Sequence, residues 1–160
     1  MRRRATGLVV IGVAAALVLG ACGGGGNRLS KAGFIAQGDR ICAETQRAVD
    51  DAVKTSFPNK GNVPTGEEAA AFVDGPFDDL VQKELDQLGD LKPPKEDKER
   101  VDEMLQAGRR GLEEIKSHSE LVLNQDRNPM NRYAELASDY GLEGCGRFSD
   151  EAVKAVAGIG

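Results

Sequence analysis

Apolar residues recur at steps of three and four along most of the chain after Ser30, and this spacing constrains the fold more than any other feature. Such steps place side chains on one face of an α-helix. No stretch alternates apolar and polar residues between hairpin turns, so the sequence predicts no β-sheet. Ser30 is the expected N-cap of the first helix. Its apolar positions are Phe34, Ile41, Cys42, Thr45, Val49, Ala52, Val53 and Phe57.

A second helix has a start signal and an internal interruption. The sequence TGEE at 65–68 is typical of a capping box, with Thr65 as the N-cap and Glu68 as the third helical residue. Asp-Gly-Pro at 74–76 interrupts the apolar positions without changing their phase. We therefore expect one helix kinked at Pro76, with two short helices as the alternative. The apolar positions are Ala69, Phe72, Val73, Phe77, Leu80, Val81, Leu85 and Leu88.

Two further helices follow the turn LKPPK at 91–95. The third begins near Pro94 and is predicted to continue through Leu121 to Val122. The fourth has Asn128 as its N-cap with proline at the next position, and Gly141 is its expected C′ residue. Four amphipathic helices with short connections predict an all-α fold, an antiparallel four-helix bundle with one helix kinked. The inward positions of the last two helices are Val101, Met104, Leu105, Gly108, Leu112, Ile115, Met130, Tyr133, Ala134, Ala137 and Tyr140.

The amino-terminal residues form a separate segment with the pattern of an export signal. Arg2, Arg3 and Arg4 precede an apolar stretch from 8 to 19. This stretch is too short to span a bilayer comfortably and is typical of the hydrophobic region of a signal peptide. The arginines are expected to keep their end of the segment in the cytoplasm.

The residues that end this segment are Leu19, Gly20, Ala21 and Cys22, and they resemble a bacterial lipobox. The resemblance implies attachment of diacylglycerol to Cys22, cleavage before it, and often acylation of the new amino group. A plain secretory signal or an uncleaved anchor are the alternatives. Two or three acyl chains hold a protein stably at a bilayer, whereas one binds marginally. We expect an extracytoplasmic, lipid-anchored protein at the bacterial cell membrane.

These segments divide the chain into four parts. Residues 1–21 are expected to be a cleaved lipoprotein signal peptide, and residues 22–29 a lipidated cysteine with a glycine-rich tether. Residues 30–148 form the predicted helical bundle domain, and residues 149–160 a short helix or a disordered tail. A flexible tether of about eight residues reaches roughly 15 Å, so the domain is expected close to the bilayer.

The other two cysteines, Cys42 and Cys145, are an even pair once Cys22 carries lipid. An extracytoplasmic compartment is oxidising, which favours a disulfide between them. Two buried free thiols or a shared metal site are the alternatives, and a single histidine leaves a metal site without enough ligands. A disulfide would join the middle of the first helix to the end of the last.

The charge distribution argues against nucleic acid as a partner. Without residues 1–21 the chain has 18 basic and 26 acidic residues, a formal charge of −8. Nucleic-acid affinity depends largely on lysine and arginine contacts to phosphate. Aromatic residues make up 4% of the chain and tryptophan is absent, which disfavours base stacking. Cations or basic protein partners fit an acidic domain better, although most acidic domains are simply soluble.

The sequence contains no convincing catalytic or metal-binding pattern. His118 is the single histidine, and Ser117 and Ser119 point to other sides of a helix, so a solvent-facing histidine is expected. Glu114 and His118 have the wrong spacing for a ferritin-like di-metal site. Adjacent acids are expected on polar faces, as at Asp50 and Asp51, Asp78 and Asp79, and Glu113 and Glu114. We expect no catalytic residue, no cofactor and no bound metal.

Two glycines within GRRG at 108–111 are expected to allow close helix packing, with approach of a ligand to the backbone as the alternative. The lipobox, the sequences FIAQGDRIC and LKPP, and the closing YGLEGC resemble a broad group of small, uncharacterised actinobacterial lipoproteins. That resemblance implies a location at the cell envelope and a helical fold, and it implies no functional-site residues.

We therefore expect a non-enzymatic interaction or accessory module of the cell envelope, with another envelope protein as partner. The alternative is a carrier of a small molecule or lipid, with a pocket between helices near Gly108 and the kink at Pro76.

Overall fold

A computed structural model describes residues 28–58, 64–122 and 124–146, and these form helices joined by short turns. No β-strand occurs within these ranges. The predicted signal peptide at 1–21, Cys22, most of the predicted tether and the predicted short helix or disordered tail at 149–160 lie outside them. The helices are α1 (Lys31–Ser56), α2 (Gly66–Phe72), a π-helical turn (Val73–Phe77), α3 (Asp78–Asp90), a 3₁₀ turn (Lys95–Asp97), α4 (Lys98–Ser117), a 3₁₀ turn (Ser119–Leu121) and α5 (Asn131–Tyr140).

Helices α2 and α3 are the two halves of one kinked helix, as the sequence predicts. The kink lies at Gly75, whose φ of −114° and ψ of −109° are outside the helical region. A residue before proline is disfavoured from the helical region, so the distortion falls on the residue preceding Pro76. Counting this kinked helix once, the described residues form a four-helix bundle.

Hydrogen bonds between the ends of helices show that neighbouring helices run antiparallel. The Leu29 N–H donates to the Lys92 carbonyl at 2.8 Å, which places the start of α1 beside the end of α3. Arg100, near the start of α4, donates to the Asp139 carbonyl at 2.8 Å, near the end of α5. We call this end of the bundle the tether end; it comprises residues 28–33, 90–100 and 139–141. The opposite, distal end comprises residues 50–56, 64–79, 113–122 and 124–130.

The predicted disulfide is present between Cys42 and Cys145. Their Cα atoms are 4.9 Å apart and both residues are fully buried. Nearby, the rings of Phe34 and Tyr140 meet edge to face, with centroids 5.6 Å apart. Together these contacts hold the end of α5 and the loop after it against α1.

Several predicted helix ends are confirmed at the level of hydrogen bonds. Ser30 caps α1 by accepting from the Gly33 N–H at 3.1 Å. Thr65 and Glu68 form the predicted capping box at the start of α2. Gly141 has a φ of 112°, and its N–H and that of Leu142 donate to carbonyls of the last turn of α5. This is a Schellman-type ending, for which glycine is preferred because it carries no Cβ.

The predicted end of the third helix was wrong. Helix α4 ends at Ser117, because His118 leaves the helical region with a φ of −139° and a ψ of 67°. The chain then makes a 3₁₀ turn against which α2 packs. Val122 is still buried, as its apolar character requires. Helix α2 packs against this turn at the distal end, and the apolar periodicity of the sequence alone did not predict the turn.

The fourth helix begins later than predicted. Regular helix starts at Asn131, while Asn128 caps the preceding turn by accepting from the Met130 N–H at 2.9 Å. The same side chain is buried and donates to the Val122 carbonyl at 2.8 Å. Asn128 therefore satisfies two backbone groups in a loop that would otherwise leave them unpaired.

Candidate functional site

Glu84 is the one charged side chain that is buried in the described part of the chain, with 4% of its surface exposed. It lies on α3, one helical turn from Val81 and from Leu88, on the face that packs into the core. Transfer of a carboxylate from water into a protein interior is unfavourable unless other groups compensate for it. The residues around Glu84 therefore define the candidate site.

Two hydroxyl groups contact the Glu84 carboxyl group. The Tyr133 hydroxyl donates to Oε1 at 2.9 Å, and Tyr133 is itself fully buried on α5. Thr45 on α1 supplies a second side-chain hydrogen bond. The carboxyl group is thus bound by side chains from two other helices, and it links three elements of the bundle.

Burial raises the pKa of Glu84 from its ordinary value of 4.5 to about 7, while the hydrogen bonds from Tyr133 and Thr45 lower it. The pKa of Tyr133 is raised well above 10 by burial and by the neighbouring carboxylate, so the phenol stays protonated and can act as a donor. Glu84 can therefore take up or release a proton close to neutral pH, inside the bundle.

A small notch lies beside this carboxyl group, with a volume of about 30 Å³. A buried water needs on the order of 10–15 Å³ of such volume, so the notch has room for about two water molecules. One side of it is formed by the residues of the disulfide region. Its lining consists of Cys42, Thr45, Gln46, Val49, Phe77, Val81, Glu84, Met130, Gly144 and Gly146.

The notch offers one ionisable carboxyl group, two polar side chains and otherwise apolar walls. This chemistry suits a small hydrogen-bond donor or a single cationic group, because a carboxylate accepts hydrogen bonds and carries negative charge. In residues 28–58, 64–122 and 124–146, no three His, Cys, Asp or Glu side chains are grouped closely enough to hold a metal ion.

The remaining sequence candidates are apart from this site. His118 is on the surface, with 60% of its side chain exposed and Glu120 3.8 Å away. Of the adjacent acids, Asp51, Asp79, Glu113 and Glu114 are exposed, and Asp50 and Asp78 are partly buried. Their placement on polar faces agrees with the prediction.

The glycines of GRRG serve helix packing, as expected. A Cβ at Gly108 would lie 2.5 Å from Leu85 Cδ2, and one at Gly111 would lie 2.7 Å from the Pro129 carbonyl oxygen. The space beside Gly108 is therefore occupied by the side chains of Leu85 and Tyr133. The notch borders Phe77, next to the kink, so the expected pocket near Gly108 and Pro76 agrees with the structure only at the kink.

Sequence reasoning missed Glu84, although a signal for it exists. Glu84 is three residues after Val81 and four before Leu88, in phase with the apolar face of its helix. A charged residue in phase with a buried face requires partners in the interior. Which partners it has depends on α1 and α5, and periodicity along one helix carries no information about them.

Comparisons of the chain with protein-family models, with curated proteins and with solved structures find no match. None of the helices in the described ranges combines the length and the apolar character needed to cross a membrane. What the protein does must therefore be inferred from its own residues.

Proposed function

We propose that this chain is a non-enzymatic lipoprotein, anchored by acylated Cys22 to the extracytoplasmic face of the bacterial cell membrane, where it serves as an interaction module for another envelope component. The observation that carries the proposal is the lipobox-like ending at Cys22, placed six positions before Arg28, whose side chain is hydrogen-bonded to the bundle at the Pro93 carbonyl. The resemblance to small actinobacterial lipoproteins supports the same cellular location.

The disulfide supports export from the cytoplasm. Cys42 and Cys145 are joined, and such bonds persist in oxidising compartments but are rare in the reducing cytoplasm. With these two thiols paired, Cys22 is the one cysteine left for modification. Export and lipidation thus account for all three cysteines of the chain.

The distal end of the bundle supplies the surface for a partner. Its described residues include eleven acids and three basic residues, Lys54, Lys116 and Arg127. A surface with this imbalance attracts a basic protein surface and increases its rate of association. The acids are Asp50, Asp51, Glu67, Glu68, Asp74, Asp78, Asp79, Glu113, Glu114, Glu120 and Asp126.

The anchor is tested by expressing the full chain and its Cys22→Ser variant in a bacterium, with Gly24→Ser as the matched control. We expect wild type and control in the membrane fraction, with a diacylglyceryl group on the amino-terminal peptide by mass spectrometry. The Cys22→Ser chain is expected to lack the lipid and the mature processing pattern. Membrane association with unchanged processing in Cys22→Ser would refute the anchor.

The interaction role is tested by cross-linking in intact cells. We expect the wild type to give a reproducible cross-linked neighbour, and the paired exchange Glu113→Lys with Glu114→Lys to weaken it. Both residues are exposed, so the exchange is expected to leave the fold intact. If no reproducible neighbour is found for the anchored protein, the proposed role is wrong.

The notch beside Glu84 favours a second candidate function, binding of a small molecule. A volume of about 30 Å³ admits only a terminal group, such as an ammonium, rather than a whole lipid. Native mass spectrometry of the purified protein would show a co-purified ligand that Glu84→Gln no longer retains. Equal ligand occupancy in wild type and Glu84→Gln would exclude the notch as its site.

A further inference from the structure

The chain enters the bundle at a fixed point on the tether end. The Leu29 N–H donates to the Lys92 carbonyl at 2.8 Å, and Arg28 Nη1 donates to the Pro93 carbonyl at 3.1 Å. These bonds attach the residues before α1 to the turn between α3 and α4. Any restraint acting on the chain before Arg28 is therefore transmitted to this end of the bundle.

The distance from Cys22 to this point is short in any conformation. Arg28 is six positions after Cys22, with five residues between them, and six residue steps of fully extended chain span about 20 Å. If Cys22 carries the lipid, as the proposed function states, Arg28 lies within that distance of the membrane surface, and the turn to which it is bonded lies beside it. The rest of the bundle can tilt, but this end cannot move away.

The tether end also differs in charge from the rest of the domain. Its described residues include six basic and five acidic side chains, in contrast to the acid-rich distal end. The basic residues are Arg28, Lys31, Lys92, Lys95, Lys98 and Arg100. An anionic membrane attracts the end with basic residues and repels the distal end, so the charge distribution orients the bundle.

Two of these lysines are free to contact lipid headgroups. Both residues are exposed, and the side-chain amino groups of Lys92 and Lys95 make no hydrogen bond or ion pair within the described residues. By contrast, Lys98 is paired with Asp102, and Lys31 lies over the Tyr140 ring at 4.9 Å from its centroid. The unpaired lysines are both in the turn to which the tether is bound.

The same surface carries partly exposed apolar side chains. Leu29 and Leu91 are half-buried and line a shallow cleft of about 240 Å³, together with Gln37, Asp90 and Lys92. Basic residues beside accessible leucines are the combination found where a protein surface meets headgroups and the upper acyl region.

We propose that the tether end rests on the anionic lipid surface, with Lys92 and Lys95 among the headgroups, and that this contact directs the acidic distal end away from the membrane. The inference rests on the proposed anchor at Cys22. It adds a second contact with the bilayer that determines orientation, and it leaves the distal end accessible to a partner.

The test uses the full, lipidated chain purified from membranes and reconstituted into two kinds of vesicle, phosphatidylglycerol with phosphatidylcholine, and phosphatidylcholine alone. Hydrogen exchange is followed in peptides covering 28–33 and 89–100. We expect exchange of these amides to be at least about fivefold slower on the anionic vesicles, since a single basic residue near such a surface already contributes about that factor to binding. Exchange at 113–117 is expected to be equal on both.

Charge variants give the matched comparison. Lys92→Glu with Lys95→Glu is expected to abolish the difference between vesicles, and Lys92→Gln with Lys95→Gln to reduce it, whereas Lys54→Glu at the distal end leaves it unchanged. Exchange of the core helices in detergent checks that each variant is folded. Lipidated protein with equal exchange at 89–100 on both vesicles would overturn the inference. Absence of lipid on Cys22 in the same preparation would instead refute the proposed function.

Discussion

The hydroxyl of Tyr133 and the carboxyl group of Glu84 are hydrogen-bonded in the core, 2.9 Å apart and 49 residues apart in sequence. Both side chains are buried, and the pair connects α5 to α3. An ionisable group in this position couples the protonation of one side chain to the stability of the bundle.

The stability of the wild type is expected to fall as pH rises through neutrality. The pKa of Glu84 is about 7 in the folded protein and 4.5 without burial, so the folded state holds this proton more tightly. The resulting stabilisation is fully present below pH 4.5 and is lost as pH rises through about 7. The difference corresponds to about 3 kcal/mol in the free energy of unfolding.

Glu84→Gln provides the control, because a neutral amide of nearly the same shape cannot ionise. Urea unfolding at a series of pH values is expected to show a slope between pH 4.5 and 8 in the wild type that the variant lacks. Equal pH dependence of the two proteins would show that Glu84 does not titrate in this range.

Removal of the Tyr133 hydroxyl is expected to raise the pKa of Glu84 further, since the hydrogen bond stabilises the ionised form. Tyr133→Phe should therefore lower the free energy of unfolding by about 1.5–3 kcal/mol at pH 8, and by less at pH 4.5. NMR titration of the glutamate carboxyl carbons measures the pKa directly. A lowered or unchanged pKa in Tyr133→Phe would contradict the assigned direction.

Reduction of the Cys42–Cys145 disulfide is expected to destabilise the bundle. The bond closes a sequence separation of 103 residues. In the chain-entropy model a loop of this size contributes at most about 4.7 kcal/mol, and removal of native disulfides typically costs about 2–5 kcal/mol. Denaturant unfolding with and without reductant measures the effect.

A variant with Cys42→Ala and Cys145→Ala is the comparison for this measurement. It is expected to unfold at the same low denaturant concentration whether or not reductant is present. An unchanged midpoint on reduction of the wild type would mean that the disulfide does not stabilise the folded state.

Alanine substitutions at two helical glycines are expected to change the stability of the protein in opposite directions. At Gly111 a Cβ would lie 2.7 Å from the Pro129 carbonyl oxygen, a backbone atom, so Gly111→Ala should destabilise by about 1–3 kcal/mol. At Gly89 the nearest atom is 3.8 Å away, and Gly89→Ala should stabilise by about 0.5–1 kcal/mol through helix propensity. Thermal or urea unfolding of the two variants distinguishes them. Equal effects would refute close packing at Gly111.

Local signals in the sequence predicted most of the helical framework. The capping box at Thr65 and Glu68, and the glycine ending of α5 at Gly141, depend on hydrogen bonds within a few residues. The kink was also predictable, because Pro76 restricts the backbone of its neighbour. The helix was predicted to continue to Val122 but ends at Ser117. In the residues between them α2 packs against the chain, so local helix propensity did not determine where the helix ends.

Periodicity and short connections in the sequence were enough to predict four helices in antiparallel order, and the disulfide between Cys42 and Cys145 was expected on the premise that Cys22 carries lipid. The environment of Glu84 could not be predicted in this way, because its hydrogen-bond partners come from α1 and α5, and burial depends on all the elements packed around a group. The tertiary structure also located the start of α1 beside the turn that carries Lys92 and Lys95. Such a juxtaposition arises from packing between segments far apart in the chain, and no local pattern encodes it.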